Sequence, residues 1–443
     1  MNASQEGAGT ALAKPSLFRH RNFLLLWIGE TTSGLGNSLA TLALPLIAVL
    51  NLDTGTLGVS LLGASVWVPW LVLGLPVGAW VDRLPVRPLM IACDLVAAVL
   101  FASVPVAWWL DLLSFPYLVV VGMLTGTTSV FFSTAYHVYL PGVLTPEELM
   151  AGNATLQGSE SAAQVAGPGL AGLISRAFGA VTGLLVNAAS FLVSALCLAL
   201  IRATPVEREA EQEPGTLREQ IAEGLRFVTR DGYLRPIVTY GALANVTLAG
   251  YEAIQVVYLV RTLGASPLVV GLLVAAGSLG GVLGSLVVGP VVKRFGTARG
   301  MLVIQLGAAP FGLLIPLSGA GWGLPLFAVG TMVPIAGTVA ANVILNSFRQ
   351  TYCPPRLLGR VVSSTMVVNF GALPVGAVLG GFLGSAVGLR PTMWIMMVGL
   401  VLTGLVLLAG PIGRVRDLPT EPPAPRRSDA EANLAAATGE AGS

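Results

Sequence analysis

The chain has 443 residues and a net charge of +2; 54% of its residues are hydrophobic and only 10% are charged. Soluble globular chains carry about 25% charged residues, so this composition excludes an ordinary water-soluble protein. Nucleic-acid binding is disfavoured, because the sequence shows no basic face outside short loops. The cysteines, which suggest neither a disulfide nor a metal framework, are Cys93, Cys197 and Cys353.

Twelve low-charge stretches follow one another along the chain, and each is long enough to cross the hydrocarbon core of a membrane. We place them at 23–50, 57–80, 89–110, 116–139, 152–175, 180–201, 236–260, 267–292, 300–319, 323–347, 362–387 and 391–413. The pattern predicts an all-α polytopic membrane protein with twelve transmembrane helices. Residues 1–22 are polar and lead straight into a full-length span, so no cleavable signal peptide is visible.

The basic residues are sorted between the two sides of the membrane. Of the 24 Lys and Arg residues, 21 fall on the side that holds both termini and every even-numbered connection. The other side keeps only Arg176, Arg261 and Arg390. The positive-inside rule therefore predicts that both termini are cytoplasmic in a multi-pass protein of the cell membrane.

The longest connection divides the chain into two halves. We predict an N-terminal segment (1–22), an N-terminal six-helix bundle (23–201), a linker (202–235), a C-terminal six-helix bundle (236–413) and a disordered, Pro-rich tail (414–443). Apolar residues at helical spacing from Leu217 to Val228 indicate an amphipathic helix along the membrane surface. A solvated linker helix that only joins the halves is the simpler interpretation.

A basic loop occurs twice, at the same place in each half. The first copy runs from Gly78 through Asp82-Arg83 to Arg87, and the second from Gly289 through Lys293-Arg294 to Arg299. The start of the second copy follows that of the first by 211 residues. Tyr136-His137-Val-Tyr139-Leu-Pro141 and Arg349-Gln350-Thr-Tyr352-Cys-Pro354 repeat at a similar offset. Duplicated membrane halves are typical of secondary transporters.

Twelve spans in six-plus-six form and a Gly-x-x-x-Asp-Arg loop resemble the major facilitator superfamily, over about residues 17–413. The run Phe18-Arg19-His20-Arg21-Asn22-Phe23 and the run from Pro354 to Gly359-Arg360 narrow the resemblance to bacterial exporters of drugs, macrolides and enterobactin. The resemblance implies two pseudo-symmetric six-helix bundles. It also implies a conformational latch at Gly78, Asp82, Arg83 and Arg87, in which Gly78 allows close helix approach. Asp82 would face the N-terminus of the eleventh helix near Ser363 and Ser364.

The fifth span carries Gly167, Pro168 and Gly172 among small residues at fourfold spacing. This pattern resembles the antiporter signature of the same superfamily, with Ser159, Ala163 and Ala171 in place of glycines. Small residues at this spacing allow tight helix crossing, and ordinary packing is the alternative interpretation.

Acidic side chains inside the membrane are costly, so each one is a functional candidate. They are Glu30, Asp94, Glu160 and Glu252. By the family pattern, Glu30 and Glu252 face the central cavity, whereas Asp94 is expected to pair with a loop arginine. Glu160 is either a cavity residue or a satisfied polar bridge. A carboxyl group in apolar surroundings can take up a proton on one side and release it on the other.

We expect a wide cavity lined by aromatic and amide side chains, which suits bulky amphipathic compounds. The expected lining is Trp27, Thr31, Tyr240, Asn245, Tyr251, Gln255, Asn342 and Asn346. The sequence thus predicts a monomeric, proton-coupled exporter in the lipid bilayer, with no cofactor and no metal. An importer or facilitator and a non-transporting membrane protein are the alternatives; an enzyme is disfavoured, because no catalytic motif is visible.

Overall fold

The computed structural model describes residues 17, 20–74, 76–81, 83–202, 217–353, 355–408 and 410–420. Its regular elements within these ranges are all helices. The first half contains α1 (Arg21–Leu50), α2 (Thr56–Leu73), α3 (Pro76–Val81), α4 (Val86–Trp109), α5 (Phe115–Val143), α6 (Pro146–Phe178) and α7 (Ala180–Leu200). A separate helix, α8 (Leu217–Arg230), precedes the second half.

The second half begins with α9 (Leu234–Val257), which continues through a π-helical turn at Tyr258–Thr262. It then contains α10 (Pro267–Phe295), α11 (Thr297–Ala308), α12 (Leu314–Leu317), α13 (Leu324–Tyr352), α14 (Pro355–Ala386) and α15 (Leu389–Leu408). A 3₁₀ turn at Ala309–Leu313 links α11 to α12, so these pieces form one span over Thr297–Leu317.

Eleven spans in the described part of the chain are long and apolar enough to cross a membrane. The remaining predicted span is the fifth (152–175). It corresponds to α6, which is 33 residues long but is not among these eleven. Its polar residues include Gln157, Glu160 and Gln164, and it packs between α1 and α10. A helix can carry such residues inside a membrane when they face protein or a cavity rather than lipid. The all-α, polytopic fold is confirmed.

The halves meet along two helix pairs, α2 with α14 and α6 with α10, and α9 also contacts α1 and α2. We call the end of the bundle that holds Arg83 and Lys293 the basic end, and the end that holds Asp53 and Ser266 the opposite end. The pair α5 and α13 is not among the helices in substantial contact within the described residues.

At the opposite end the halves touch backbone to backbone. A Cβ atom added at Gly172 of α6 would lie 2.6 Å from the Pro267 carbonyl oxygen and 3.0 Å from Gly271 Cα of α10. On the other seam, a Cβ atom at Gly381 of α14 would overlap Ser60 of α2. Glycine at these positions lets the helices approach closely, which is how membrane helices gain packing energy.

The linker helix docks on the second half rather than standing apart. A Cβ atom at Gly224 of α8 would overlap the Arg360 carbonyl of α14, and Glu223 forms an ion pair with Arg360. After α8, Asp231 accepts hydrogen bonds from the backbone N–H groups of Tyr233 and Leu234. The predicted linker helix is thus present at Leu217–Arg230; residues 203–216 lie outside the described residues.

The first residues of the predicted disordered tail are structured, so the prediction placed the start of the tail too early. Asp417 accepts a hydrogen bond from Thr297 N, and the Arg416 carbonyl accepts from Ala298 N and Arg299 N. These donors are the free N–H groups of the first turn of α11, and they bind the chain that passes them. Residues 414–420 are therefore part of the fold, and residues 421–443 lie outside the described part.

Candidate functional site

Two acidic side chains lie within electrostatic reach of Glu30, and the three residues come from different helices of the first half. Asp94 of α4 and Glu160 of α6 lie close enough to Glu30 of α1 to interact with it electrostatically. Asp94 is 2% exposed, while Glu160 is exposed. One oxygen each of Glu30 and Asp94 is buried without a hydrogen-bond partner in the described structure. We call Glu30, Asp94 and Glu160 the acidic wall.

Neighbouring aromatic and hydroxyl groups frame the acidic wall. Trp27 of α1 donates a hydrogen bond of 2.8 Å from its indole nitrogen to Ser159 Oγ of α6. Tyr136 of α5 interacts electrostatically with Glu30 and Glu160. Glu160 therefore lies near groups on both α1 and α5. Thr31, beside Glu30, has a buried hydroxyl oxygen with no partner among the described residues.

Asp94 does not pair with a loop arginine, so that expectation is wrong for the described residues. It lies beside Ser194 of α7 and close to Glu30. The nearby loop arginine, Arg87, instead donates hydrogen bonds to the carbonyl oxygens of Leu198 (2.8 Å) and Ala199 (2.6 Å). These carbonyls end α7 and have no partner within their own helix, which makes them good acceptors for a guanidinium group.

The wall contributed by the second half is mainly built from amides. Asn245 and Asn342 line a cavity between α9, α13 and α14, and Tyr240 lines it too. Asn346, one turn beyond Asn342 on α13, is exposed. Glu252 lies seven residues after Asn245 on the same face of α9, and it is exposed. Among the described residues Glu252 has no acidic neighbour comparable to those of Glu30.

Tyr251 and Gln255 bind each other instead of lining the cavity as free groups. Gln255 Nε2 donates to the Tyr251 hydroxyl at 2.7 Å, and the Tyr251 side chain is buried. They lie one turn apart on α9, where i and i+4 side chains meet. Of the two, only Gln255 keeps part of its surface accessible.

Arg349 is the residue of this site that sequence reasoning missed. It lies on the same face of α13 as Asn342 and lines the same cavity. In the sequence, the charge of Arg349 indicates only which side of the membrane this end of the span faces. The internal repeat could have indicated it. Arg349 in the second half corresponds to Tyr136 in the first half, and Tyr136 lies beside the acidic wall.

The small residues of α6 make the contacts that their spacing predicted, on two different partners. A Cβ atom at Gly167 would overlap Ser38 of α1, within the first half. Gly172 faces α10 across the interface, and the Pro168 carbonyl oxygen lies 2.3 Å from a Cβ atom added at Gly271. The signature therefore joins α6 both to its own half and to the other half.

The residues of the expected latch are described only in part, so the latch stays a prediction. Among the described residues, no heavy atom lies within 4 Å of a Cβ atom added at Gly78, so no described helix makes the predicted close approach there. Arg83 is exposed, and Arg87 binds within its own half. Asp82 lies outside the described residues. Within the described part of the chain no helix of the other half reaches Gly78, so the basic end is open around this residue.

The helix that contains the eleventh span begins before the span itself, which runs over Ser364–Ala386. Helix α14 starts at Pro355, so Ser364 lies inside it and donates a hydrogen bond to the Arg360 carbonyl oxygen at 2.7 Å. The low-charge window placed the start at residue 362 because Arg356 and Arg360 precede it. A helix can extend beyond the membrane, where charged residues cost nothing. The helix N-terminus that Asp82 was expected to face is therefore not at Ser363 and Ser364.

Known proteins resemble this chain along nearly all of its length. The family model of the Major Facilitator Superfamily matches residues 26–363 and 253–440. The multidrug efflux pump Tap of Mycolicibacterium fortuitum is 29% identical over 420 residues, which cover 90% of this chain and 98% of that protein. Among solved structures, the nucleoside transporter NupG matches with a TM-score of 0.74 at 11% identity, over 89% of this chain and 99% of that one.

A bacterial homologue of the iron transporter ferroportin, solved in an inward-facing state, matches with a TM-score of 0.68. It is 18% identical and covers 89% of this chain and 99% of its own. These structural matches agree on the fold and differ in the cargo that their titles name. Transporters rather than enzymes share both the sequence and the fold.

Proposed function

The chain belongs to the Major Facilitator Superfamily, and on that basis we propose that it exports amphipathic, drug-like or natural-product molecules by proton antiport with alternating access. The match to a protein named as a multidrug efflux pump supports this substrate class. The distribution of Lys and Arg supports a cytoplasmic basic end in the cell membrane, with both termini on that side. In that orientation the present conformation is open to the cytoplasm.

The observation that carries the proposal is the acidic wall. Ionised carboxylates close together repel one another, so a proton or a cationic group stabilises the set. Glu160 is reachable from the cavity, whereas Asp94 is buried behind it. A cationic substrate and a proton would therefore compete for the same carboxylates. Such competition is sufficient to exchange one for the other across the membrane.

The two candidate coupling residues have different surroundings, which assigns them different roles in this proposal. Glu30 interacts with two further acids and has an unpartnered buried oxygen. Glu252 stands on the amide-lined wall without such neighbours. We therefore place proton coupling at Glu30 and substrate contact at Glu252.

Uphill transport in proteoliposomes tests this assignment. The full chain is reconstituted, the membrane potential is held at zero with K⁺ and valinomycin, and a pH gradient is imposed. Accumulation of a cationic rhodamine methyl ester is then compared with downhill exchange of preloaded dye. Glu30→Gln should abolish accumulation but leave downhill exchange within about twofold of the original, because binding survives when coupling is lost. Asp111→Asn, an exposed acid outside the cavity, is the matched control.

Glu252→Gln should reduce both accumulation and exchange together, as expected for a residue that contacts substrate. Undiminished accumulation in Glu30→Gln at equal protein abundance would remove the acidic wall from the coupling mechanism. Absence of any pH-driven accumulation by the unmodified protein would contradict proton antiport itself.

A further inference from the structure

The second half contains a polar pocket beside the main cavity. It lies between α9, α13 and α14 and comprises about 520 Å³ of space, part of which is open to solvent. Its polar lining consists of Tyr240, Asn245, Thr338, Asn342, Arg349 and Asn369. We call it the arginine pocket. It is separate from the acidic wall, which belongs to the first half.

Two polar atoms in the arginine pocket are buried and have no hydrogen-bond partner among the described residues. They are Arg349 Nε and Asn369 Oδ1. No carboxylate forms an ion pair with Arg349 in the described part of the chain. A buried polar group without a partner destabilises the fold, and more so when the group is charged. Both residues line the pocket, so a ligand there can contact the same side chains.

The location of Arg349 has an ordinary explanation, which the pocket argues against. It lies in the last turn of α13, where a cation is favoured by the helix dipole and by the positive-inside rule. A residue serving only those purposes can extend its guanidinium group into water. Arg349 instead turns Nε into a buried position beside three asparagine amides.

The glycine opposite Asn369 keeps the pocket from being filled by protein. Gly241 of α9 lines the pocket, and a Cβ atom there would lie 3.3 Å from Asn369 Oδ1. Any larger residue would displace the Asn369 amide or occupy its space. The space is therefore a consequence of the residue types at this position and not of loose packing alone.

We propose that the arginine pocket is a substrate subsite that binds a carboxylate group. A guanidinium group presents N–H donors in a fork that matches a carboxylate, and asparagine amides supply further donors. This proposal rests on the proposed transport function and deepens it. With acids on one wall and Arg349 on the other, the cavity suits amphipathic zwitterions, whose amine and carboxylate would bind the first and second halves respectively.

Binding of a matched pair of dyes tests the subsite. The probes are a rhodamine that carries a free carboxylate and its methyl ester, which keeps the cationic ring system but lacks the anion. Their affinities are measured by fluorescence polarisation with the full chain in nanodiscs. Arg349→Gln should weaken binding of the free acid about tenfold or more, because a hydrogen-bonded charge pair is lost, and should change ester binding less than about twofold.

Two further variants make the measurement specific. Arg299→Gln removes an exposed arginine from the same end of the bundle and should leave both affinities unchanged. Arg349→Lys should fall between the original and Arg349→Gln, since a lysine offers a point charge without the bidentate fork. Gel filtration and near-ultraviolet circular dichroism establish that each variant is folded.

The proposal is overturned if Arg349→Gln weakens acid and ester equally, if it weakens neither, or if the original protein does not bind the free acid. If the proposed export function is wrong, the result is different: the ester shows no pH-driven accumulation in vesicles. Discrimination between acid and ester that depends on Arg349 would support the subsite even in that case.

Discussion

The two ends of the interface between the halves use glycine in opposite ways. At the opposite end, a Cβ atom at Gly172 or Gly271 would overlap backbone atoms of the other half. At the basic end, a Cβ atom at Gly78 or Gly289 would meet no heavy atom of the described residues within 4 Å. Gly172 and Gly78 both stand in family-like motifs, yet among the described residues only Gly172 contacts the other half.

This difference shows that a helix-packing motif describes a contact without saying in which state it is made. Alternating access requires that one end separates when the other closes. The glycines in contact hold the closed end, and the free ones belong to the end that is open. The following predictions separate contacts that exist now from contacts that form in another state.

Gly172→Leu should have the largest effect. Its side chain would displace Pro267 and Gly271, and overpacking of this kind costs about 1–3 kcal/mol or more. The equilibrium should move away from closure of the opposite end by about tenfold or more. Spin labels on Asn51→Cys and Ala265→Cys, in a background without the native cysteines, report the separation across that end.

Gly158→Leu is the control for this prediction, because it lies on the same helix and a Cβ atom there meets nothing within 4 Å. It should leave the label distance unchanged. Equal label distances in Gly172→Leu and the unmodified protein would show that the α6–α10 contact does not hold the opposite end closed.

Gly78→Leu should leave the closed opposite end intact, since the added side chain enters open space. Transport should nevertheless fall several-fold, because the basic end must close during the cycle. Gly289→Leu is the matched change in the second copy of the loop, which lacks the acid, and should be milder. The comparison needs efflux and membrane abundance measured together; equal effects would mean that both glycines only pack.

Arg261→Gln tests the polar tie at the opposite end and should have a smaller effect. Arg261 donates to Asp53 Oδ1 at 2.8 Å and to the Thr54 carbonyl oxygen at 3.0 Å, which joins the two halves. Exposed ion pairs contribute about 0–1 kcal/mol, so closure should weaken by less than about fivefold. The label distances described for Gly172→Leu measure this shift.

Asp53→Asn is the companion variant, because asparagine also tolerates the positive φ of 46° at this position. It should be milder than Arg261→Gln, since the bond to Thr54 remains. The double variant should be no worse than Arg261→Gln alone. Full additivity of the two changes would show that the residues act independently.

Glu223→Gln should have the smallest effect. It removes the ion pair that fastens α8 to Arg360, while the close contact at Gly224 remains. Hydrogen exchange of residues 217–230 should become faster, with transport changed less than about twofold. Arg226→Gln, on an exposed position of the same helix, should alter neither. A large loss of transport in Glu223→Gln would give the linker a direct part in the cycle.

The acidic wall could be predicted only in part. Acidic residues are rare inside a membrane, and this was sufficient to select four functional candidates, Glu30, Asp94, Glu160 and Glu252. It was not sufficient to show that three of them share one site, because they come from α1, α4 and α6 and meet only when the helices pack. The roles of these residues stay predictions until the variants are measured.

Hydropathy and charge along the chain determined the membrane class, the order of the spans, the duplicated halves and the family resemblance. These properties are local, or repeat at a fixed offset, so they can be read without knowing how the helices pack. Tertiary structure alone decided that Arg87 binds the end of α7, that α14 starts at Pro355, that no described residue contacts Gly78 and that Arg349 faces a pocket. Each depends on which helix lies opposite a given face, and in a protein with two alternating states that neighbour changes while the sequence does not.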